Sequence, residues 1–415
     1  MQILILSSFL PNPNATHAGG VVLWRMLEGL ATHHEISLIS FVNDEKERLQ
    51  SEALSEYCIS LRTVLHPNTS TISDLGMRTA HRIRSLLFSN LPYEVWRFRS
   101  PAMTNAITHT LAETSFDIIQ VEFTQMGQYI GEFQGHPHTL LREYDLSYLM
   151  RQRRMQTAKG RFSKLYQYIQ WQRMRRYELA IYRRFHQVIV PSDQIKTELL
   201  AQLPNLDVSV VPFGITLPSV PASVESPVNQ QILFVGAIGR SLNTEAVIYF
   251  YQQIWPHIRE EEPETEFWIV GSDPPPQVRQ LAQTDSNVKV TGFVDNLVPF
   301  YTRASVVVVP LLIGGGVVTK ILDAMAMSRA VVTTSIANEG IGAVPGQDLI
   351  VADEPVEFAR RVVELLRDPN QRQHIGQNGW RFVEEKFSWR SIIERLECIY
   401  DKMLTKNSRT ARDKK

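Results

Sequence analysis

Short runs of apolar, mostly β-branched residues recur along this chain with helix-length amphipathic segments between them, and that alternation leaves few folds open. Ile3–Leu6 and the segment SVVVVPL at 305–311 are apolar at nearly every position, as a strand covered on both faces must be. Ile36–Val42, Asp117–Val121, His186–Val190 and Val208–Val211 continue the series in the first half. Ile232–Val235, Glu266–Val270, Val288–Val290 and Ala330–Thr334 do so in the second. Helical spacing predicts helices over Val21–His33, Thr244–Arg259, Pro276–Gln283, Lys320–Met327, 355–367, 369–386 and Trp389–Leu404. Strands alternating with helices build parallel sheets from right-handed βαβ units.

Midway the composition changes. LPSVPASVESPVNQ is rich in Pro, Ser and Val and reads as a linker over 217–230. The expected organisation is a first α/β domain over 1–216, a second over 231–388, a helix over 389–404 packing back toward the first domain, and a basic tail over 405–415. A length of 415 residues suits two such domains. In open parallel sheets, ligands bind beyond the carboxyl ends of the strands, so the expected site is a cleft that both sheets face.

Charge and cysteine content narrow the chemistry. Forty-three Lys and Arg balance 43 Asp and Glu, which argues against a general nucleic-acid binder. Cys58 and Cys398 offer neither zinc spacing nor a disulfide framework, so no metal site is expected and a reducing, cytoplasmic setting fits. The opening MQILILSSFLP lacks a basic n-region and reads as a strand rather than a leader. The weakly polar run from Ala304 to Val318 is interrupted by Pro310 and three glycines, so no membrane span is expected.

The most informative local segment is PLLIGGGVVTKILDAMA. A buried strand leads into Gly314, Gly315 and Gly316, and a helix opens just after them. Glycines let backbone N–H groups approach an anion, and a helix N-terminus adds free donors and partial positive charge. Lys320 lies near the first turn, and Asp323, three residues on, shares its helical face. The spacing suits a diphosphate with a ribose beside it; the competing reading is a tight turn with a surface Lys–Asp pair. Neither a Gly-x-Gly-x-x-Gly after the first strand nor a Gly-Lys-Ser/Thr loop is present, which ranks dinucleotide and P-loop chemistry low.

PLLIGGGVVTKILDAMAMSRAVVTTSIANEGI resembles the donor-binding segment of GT-B glycosyltransferases of the family-four type, in its tri-glycine branch. FVGAIGRSLNTEAVIYF, VKVTGFVDNLVPFYTRASVVVVP, FDIIQVEFTQMGQY and LREYDLSYL extend the likeness over both halves. The resemblance implies two Rossmann-like parallel-sheet domains facing each other across a cleft, and metal-independent, retaining transfer of a sugar from an NDP-sugar to a hydroxyl acceptor without a further cofactor. It implies that Gly19 and Gly20 form a loop facing the donor, and that Gly236 and Asn243, the latter in the loop beyond, lie near it. It places Gly292 and Phe293 at the nucleobase, Gly314, Gly315, Gly316 and Lys320 at the diphosphate, and Asp323 where the family has a ribose-binding glutamate. Tyr144 stands where that branch usually has histidine, and Phe213 where it has asparagine.

Glu122, directly after DIIQV, is a candidate for orienting an acceptor hydroxyl or the sugar, or a strand-end residue satisfied by a neighbouring loop amide; Tyr144 and Asp145 have a similar standing. From Arg151 to Arg184 a basic stretch holds Arg151, Arg153, Arg154, Lys159, Arg161, Lys164, Arg173, Arg175, Arg176, Arg183 and Arg184, opposed only by Glu178, with Phe162, Leu165, Tyr166, Tyr168, Ile169 and Trp171 interleaved. Such a stretch suits peripheral contact with an anionic membrane, or is a solvated helical face. Two rival functions stay open: an NDP-sugar epimerase, and a non-catalytic descendant that acts as a partner protein.

Overall fold

A computed structural model describes residues 1–13, 15, 18–67, 89–158, 160–217, 230–313 and 317–412. The chain divides into two compact units, Met1–Phe213 with Ile392–Lys415, and Gly214–Ser391. In the first, β1 (Gln2–Ser7), β2 (Glu35–Val42), β3 (Ser60–Leu65), β4 (Ile118–Glu122), β5 (Thr139–Arg142), β6 (Gln187–Val190) and β7 (Val208–Val210) form a sheet ordered β3-β2-β1-β4-β5-β6-β7. In the second, β8 (Gln231–Val235), β9 (Glu266–Val270), β10 (Val288–Val290), β11 (Val306–Val309), β12 (Ala330–Thr333) and β13 (Ile350–Val351) are ordered β10-β9-β8-β11-β12-β13. The ladders are parallel, as the fully apolar runs require. All four residues of β11 are buried, and β1 is buried from Ile3 onward. Each unit therefore is a Rossmann-like layered α/β fold.

Several elements depart from expectation for identifiable reasons. β3 mixes Ser, Arg and Thr with apolar residues, as a half-exposed sheet edge allows. The first helix begins at Ala18, which places Gly19 and Gly20 in its first turn rather than in the preceding loop. The expected helix over Thr244–Arg259 is composite: Ser241–Tyr249, a π-turn over Phe250–Ile254, then Trp255–Glu261. Pro256 has no N–H to donate to the preceding turn, and the widened π-turn accommodates it. Asn243 accordingly lies in a helical first turn, not a loop.

The divide falls at Phe213, three residues before the expected boundary. Residues 218–229 of the anticipated linker lie outside the described residues. Gly214 packs so closely on Trp389 that a Cβ would come within 2.4 Å of the indole, and the Ile215 N–H donates to the Phe387 carbonyl at 2.6 Å. The last helix runs from Trp389 to Arg412, through most of the expected tail, because no Gly or Pro interrupts it. From Ile392 on it belongs to the first unit. Ile393 fits against Gly29, Glu397 accepts from His33 and His34 at 2.9 and 3.0 Å, and the Tyr400 hydroxyl donates to Gln120 at 2.5 Å.

The basic stretch forms two packed helices, Ser147–Thr157 and Arg161–Tyr182. Two of its expected surface charges are not on the surface. Arg151 is buried and paired with Glu94, and it donates to Gln167 at 3.0 Å. Glu178 is fully buried and accepts the Ser147 and Tyr148 amides. Lys159 lies outside the described residues.

Candidate functional site: a pocket where the second sheet reverses order

In the second unit the chain builds outward from β8 to β9 and β10, then returns to place β11 on the other side of β8. At such a reversal the connections after the two central strands diverge and leave a crevice at their carboxyl ends. A cavity of about 550 Å³ occupies it, lined among others by Gly236, Arg240, Asn243, Gly271, Phe293, Val317, Val318, Thr319, Lys320 and Asp323.

Glycines follow three neighbouring strands here, and the first two keep the floor low. Gly236 follows β8, and a Cβ there would come within 2.8 Å of the Lys320 ammonium. Gly271 follows β9 at φ 145°, with its α-carbon so near Gly236 that a Cβ would lie 1.6 Å from the Gly236 carbonyl oxygen. Its N–H donates to the Gly292 carbonyl at 3.1 Å, and Gly292 itself has φ 77°. Beside it, Phe293 is 73% exposed at the pocket rim.

The helix Thr319–Ala326 presents Lys320 and Asp323 to this cavity. The Lys320 ammonium donates to Asn243 Oδ1 at 2.6 Å and lies 4.3 Å from the centre of the Phe234 ring. Asn243 is held in turn by donating to the Ala237 carbonyl at 2.8 Å. Burial, with a smaller contribution from Arg240, lowers the Lys320 pKa to about 8, and burial raises that of Asp323 to about 6. The pocket thus combines a positioned cation, a second cation at Arg240, a carboxylate and an apolar rim. Gly314, Gly315 and Gly316, expected at the diphosphate, lie outside the described residues.

The first sheet reverses order between β1 and β4, and the remaining expected residues gather at the end of β4. Glu122 is 0% exposed and accepts from Gln120 Nε2 at 2.5 Å and the Tyr144 hydroxyl at 3.0 Å. A carboxylate so enclosed does not meet an acceptor hydroxyl; it positions Tyr144. Burial raises the Glu122 pKa against the opposing pull of Arg142, and burial holds the Tyr144 phenol well above its usual range. Asp145 is exposed, with one oxygen accepting the Leu146 amide at 2.8 Å. Gly19 and Gly20 lie at the start of the helix that follows β1. Tyr144 and Phe213, the two first-half positions that depart from the resembled branch, stack on one another at 5.3 Å between ring centres.

Sequence reasoning did not single out Gly271, although a glycine directly after the apolar run FWIV was the available signal. Nor did it identify Phe123, whose position after a strand end gave no hint of its unusual backbone.

Residues 229–368 match the family described as Glycosyl transferases group 1. The uncharacterized 44.6 kDa protein in the cps region of Klebsiella pneumoniae is 26% identical over 175 residues, covering 40% of this chain and 45% of that protein. The capsular polysaccharide biosynthesis glycosyltransferase CapM of Staphylococcus aureus is 31% identical over 121 residues, 28% of this chain and 31% of its own length. Both matches span less than half of the relative. Among solved structures, sucrose-phosphate synthase from Thermosynechococcus elongatus aligns with a TM-score of 0.64 at 18% identity, covering 98% of this chain and all of the other. Anabaena HepE in complex with UDP aligns at 0.64 and 13% identity, covering 97% of this chain and all of HepE. At these identities the likeness shows the fold, which is GT-B.

Proposed function

We propose that the chain is a glycosyltransferase that moves a sugar from an NDP-sugar to a hydroxyl acceptor in polysaccharide assembly. The observation that carries this is the second-unit pocket, where Lys320, Asn243 and Asp323 converge over a glycine floor at the sheet's reversal point. In this reading Lys320, Arg240 and the amino end of the helix Thr319–Ala326 face the diphosphate. They offset the charge that grows on it as the glycosidic bond breaks, without requiring a metal. Asp323 accepts from ribose hydroxyls, and Phe293 at the rim lies against the nucleobase. Transfer with retention is what the family resemblance implies, and the bound UDP of the HepE structure makes UDP the first probe.

Titration of the full chain with UDP tests the site. Lys320→Ala is expected to weaken UDP binding about 10- to 100-fold, the scale of one charge-assisted contact, with little change in melting temperature. Equal affinity in the variant would remove Lys320 from the site. Product analysis with UDP-sugars in the absence of acceptor separates transfer from epimerisation, since only an epimerase yields a rearranged UDP-sugar.

The cytoplasmic membrane face is the proposed place of action. Phe162, Leu165 and Tyr168 are 91, 57 and 46% exposed on the helix Arg161–Tyr182, beside exposed Arg161 and Lys164. Apolar side chains ringed by cations suit an anionic bilayer surface. No helix among the described residues is long and apolar enough to cross a membrane. Flotation with anionic vesicles at low salt is expected to carry the protein, and Phe162→Asp with Leu165→Asp to leave it behind; absence of wild-type binding would refute the contact.

A further inference from the structure

At the carboxyl edge of the first sheet Phe123, at φ 71°, stacks on Tyr144, and Tyr144 on Phe213, so these rings cover one another. An opening lies at the opposite edge. β5, β6 and β7 run parallel, and their first residues are Thr139, Gln187 and Val208. A cavity of about 410 Å³ sits where these strands begin, with Ile399, Lys402 and Met403 of the last helix in its wall. A second, of about 380 Å³, meets it at His186 and Asp207 and continues past Asn205. Small-molecule sites occupy ~300–1,000 Å³, and two such spaces sharing a wall form a trough that suits linked units.

The polar groups of the larger cavity have fixed roles. Gln187 is 5% exposed, and its Nε2 donates to the Val188 and Asp207 carbonyls at 3.2 and 3.1 Å and to Ser209 Oγ at 3.3 Å. Two carbonyl partners make that end the amide nitrogen. Oε1, which takes no donor among the described residues, is left for the cavity that Gln187 lines. Ser209, accepting from Gln187, keeps its own O–H to give. The Thr139 amide and hydroxyl lie 3.4 and 2.9 Å from His186 Nδ1. An amide can only donate, so Nδ1 accepts and the ring proton sits on Nε2. Burial, and then His138 and His136, lower the His186 pKa, which keeps the ring neutral with that N–H in place. Asp207 and Lys402 add one charge of each sign, and Pro137, Ile399 and Met403 are apolar.

We propose that this trough binds an oligosaccharide and serves as a holding site for a stretch of glycan away from its reacting end. Binding stands apart from the transferase reading; only the role given to the glycan rests on it. A hydroxyl both gives and takes hydrogen bonds. Sugar hydroxyls therefore satisfy the acceptors at Gln187 and Asp207 and the donors at His186, Ser209 and Lys402 together, while ring C–H groups rest on Ile399 and Met403. An ionised phosphate has no proton to give, and it would leave Gln187 Oε1 facing a lone pair in a space whose own charges cancel. β5 has four residues, so at ~3.3 Å for each the trough lies about 13 Å of strand away from the edge that holds Glu122 and Tyr144. It is accordingly a second site, apart from the edge where those residues gather.

Saturation-transfer NMR on the full chain tests the trough, with maltotriose, cellotriose and chitotriose as probes and triglycine and inorganic phosphate as competitors. The expected result is transfer to ring protons of at least one trisaccharide, persisting with UDP at saturation. Lys402→Ala with Ser209→Ala removes two donors and is expected to raise the trisaccharide dissociation constant about tenfold. Lys402→Ala alone, at an exposed position, is expected to raise it about threefold. UDP affinity is expected to be the same in both variants as in the wild type. Undiminished trisaccharide binding by the variants would place the sugar elsewhere and overturn the proposal. Absence of transfer to all three trisaccharides would overturn it too. Displacement of the sugar by equimolar triglycine or phosphate would make the trough a peptide or anion site and have the same effect. A wild type that binds a trisaccharide in the trough but not UDP would strike the transferase reading and leave the sugar site standing.

Discussion

Lys320 and Asp323 lie one helical turn apart, and burial moves their titrations toward neutrality from opposite sides, to about 8 and about 6. A diphosphate is held best when Lys320 is charged, and a ribose hydroxyl is accepted best when Asp323 is ionised. UDP affinity is therefore expected to be greatest between pH 6 and 8, falling below as Asp323 takes up a proton and above as Lys320 loses one. Calorimetry across that range checks this. Lys320→Arg should remove the alkaline limb, because a guanidinium stays charged throughout, and Asp323→Asn should soften the acid limb. A profile unchanged in both variants would assign the limbs to other groups.

At the scale of elements, the helix Ser147–Thr157 begins without a capping side chain of its own. Glu178 of the adjacent helix fills that role, accepting the Ser147 and Tyr148 amides at 3.1 and 2.8 Å. Glu143 is buried too, and one of its oxygens has no hydrogen-bond partner among the described residues. Burial, and then the nearness of Glu178, raise the Glu143 carboxyl well above its ordinary range; burial raises Glu178 to about 8. Both Glu178 oxygens accept amides while one Glu143 oxygen has no partner among the described residues, so a proton shared by the pair sits better on Glu143. A carboxyl whose folded pKa is raised gives stability that is complete below its ordinary range and is lost as pH rises through the folded value. The urea midpoint is thus expected to fall as pH rises from the ordinary carboxyl range toward about 8, and Glu143→Gln, which resembles the protonated acid, to flatten that fall. The same slope in the variant would place its origin elsewhere.

Legibility followed the local pattern. β1, β9 and β11 announce themselves by short apolar runs and β2 by apolar residues around two serines, whereas β3 is a polar edge, β5 has four residues and β13 two, too few to show a period. Lys320 and Asp323 were readable from helical spacing, but the bond between Lys320 and Asn243 joins positions 77 residues apart. Glu122 was readable as a strand end, yet only packing reveals that it points inward, beneath Tyr144. Arg151 looked like one more surface cation because its partner, Glu94, lies far back in the sequence.

On the scale of the whole molecule, the first unit is completed by the end of the chain. Ile392, Ile393, Leu396, Ile399, Tyr400 and Met403 are buried. At about 1.5–3 kcal/mol for each apolar side chain, their burial is comparable to the net stability of a typical domain, about 5–15 kcal/mol. A chain ending at Ser391 is therefore expected to lose cooperative melting of the first unit, while UDP still raises the melting temperature of the second; a truncated chain with both transitions intact would refute this.

The Tyr400 to Gln120 bond also dictates an order of events at the ribosome. Domains made from the amino end usually fold in the order of their synthesis. Here the residues that cap the early sheet emerge after all of Gly214–Ser391 has been made. The half translated first must wait, its apolar flank uncovered, until the half translated second has had time to fold.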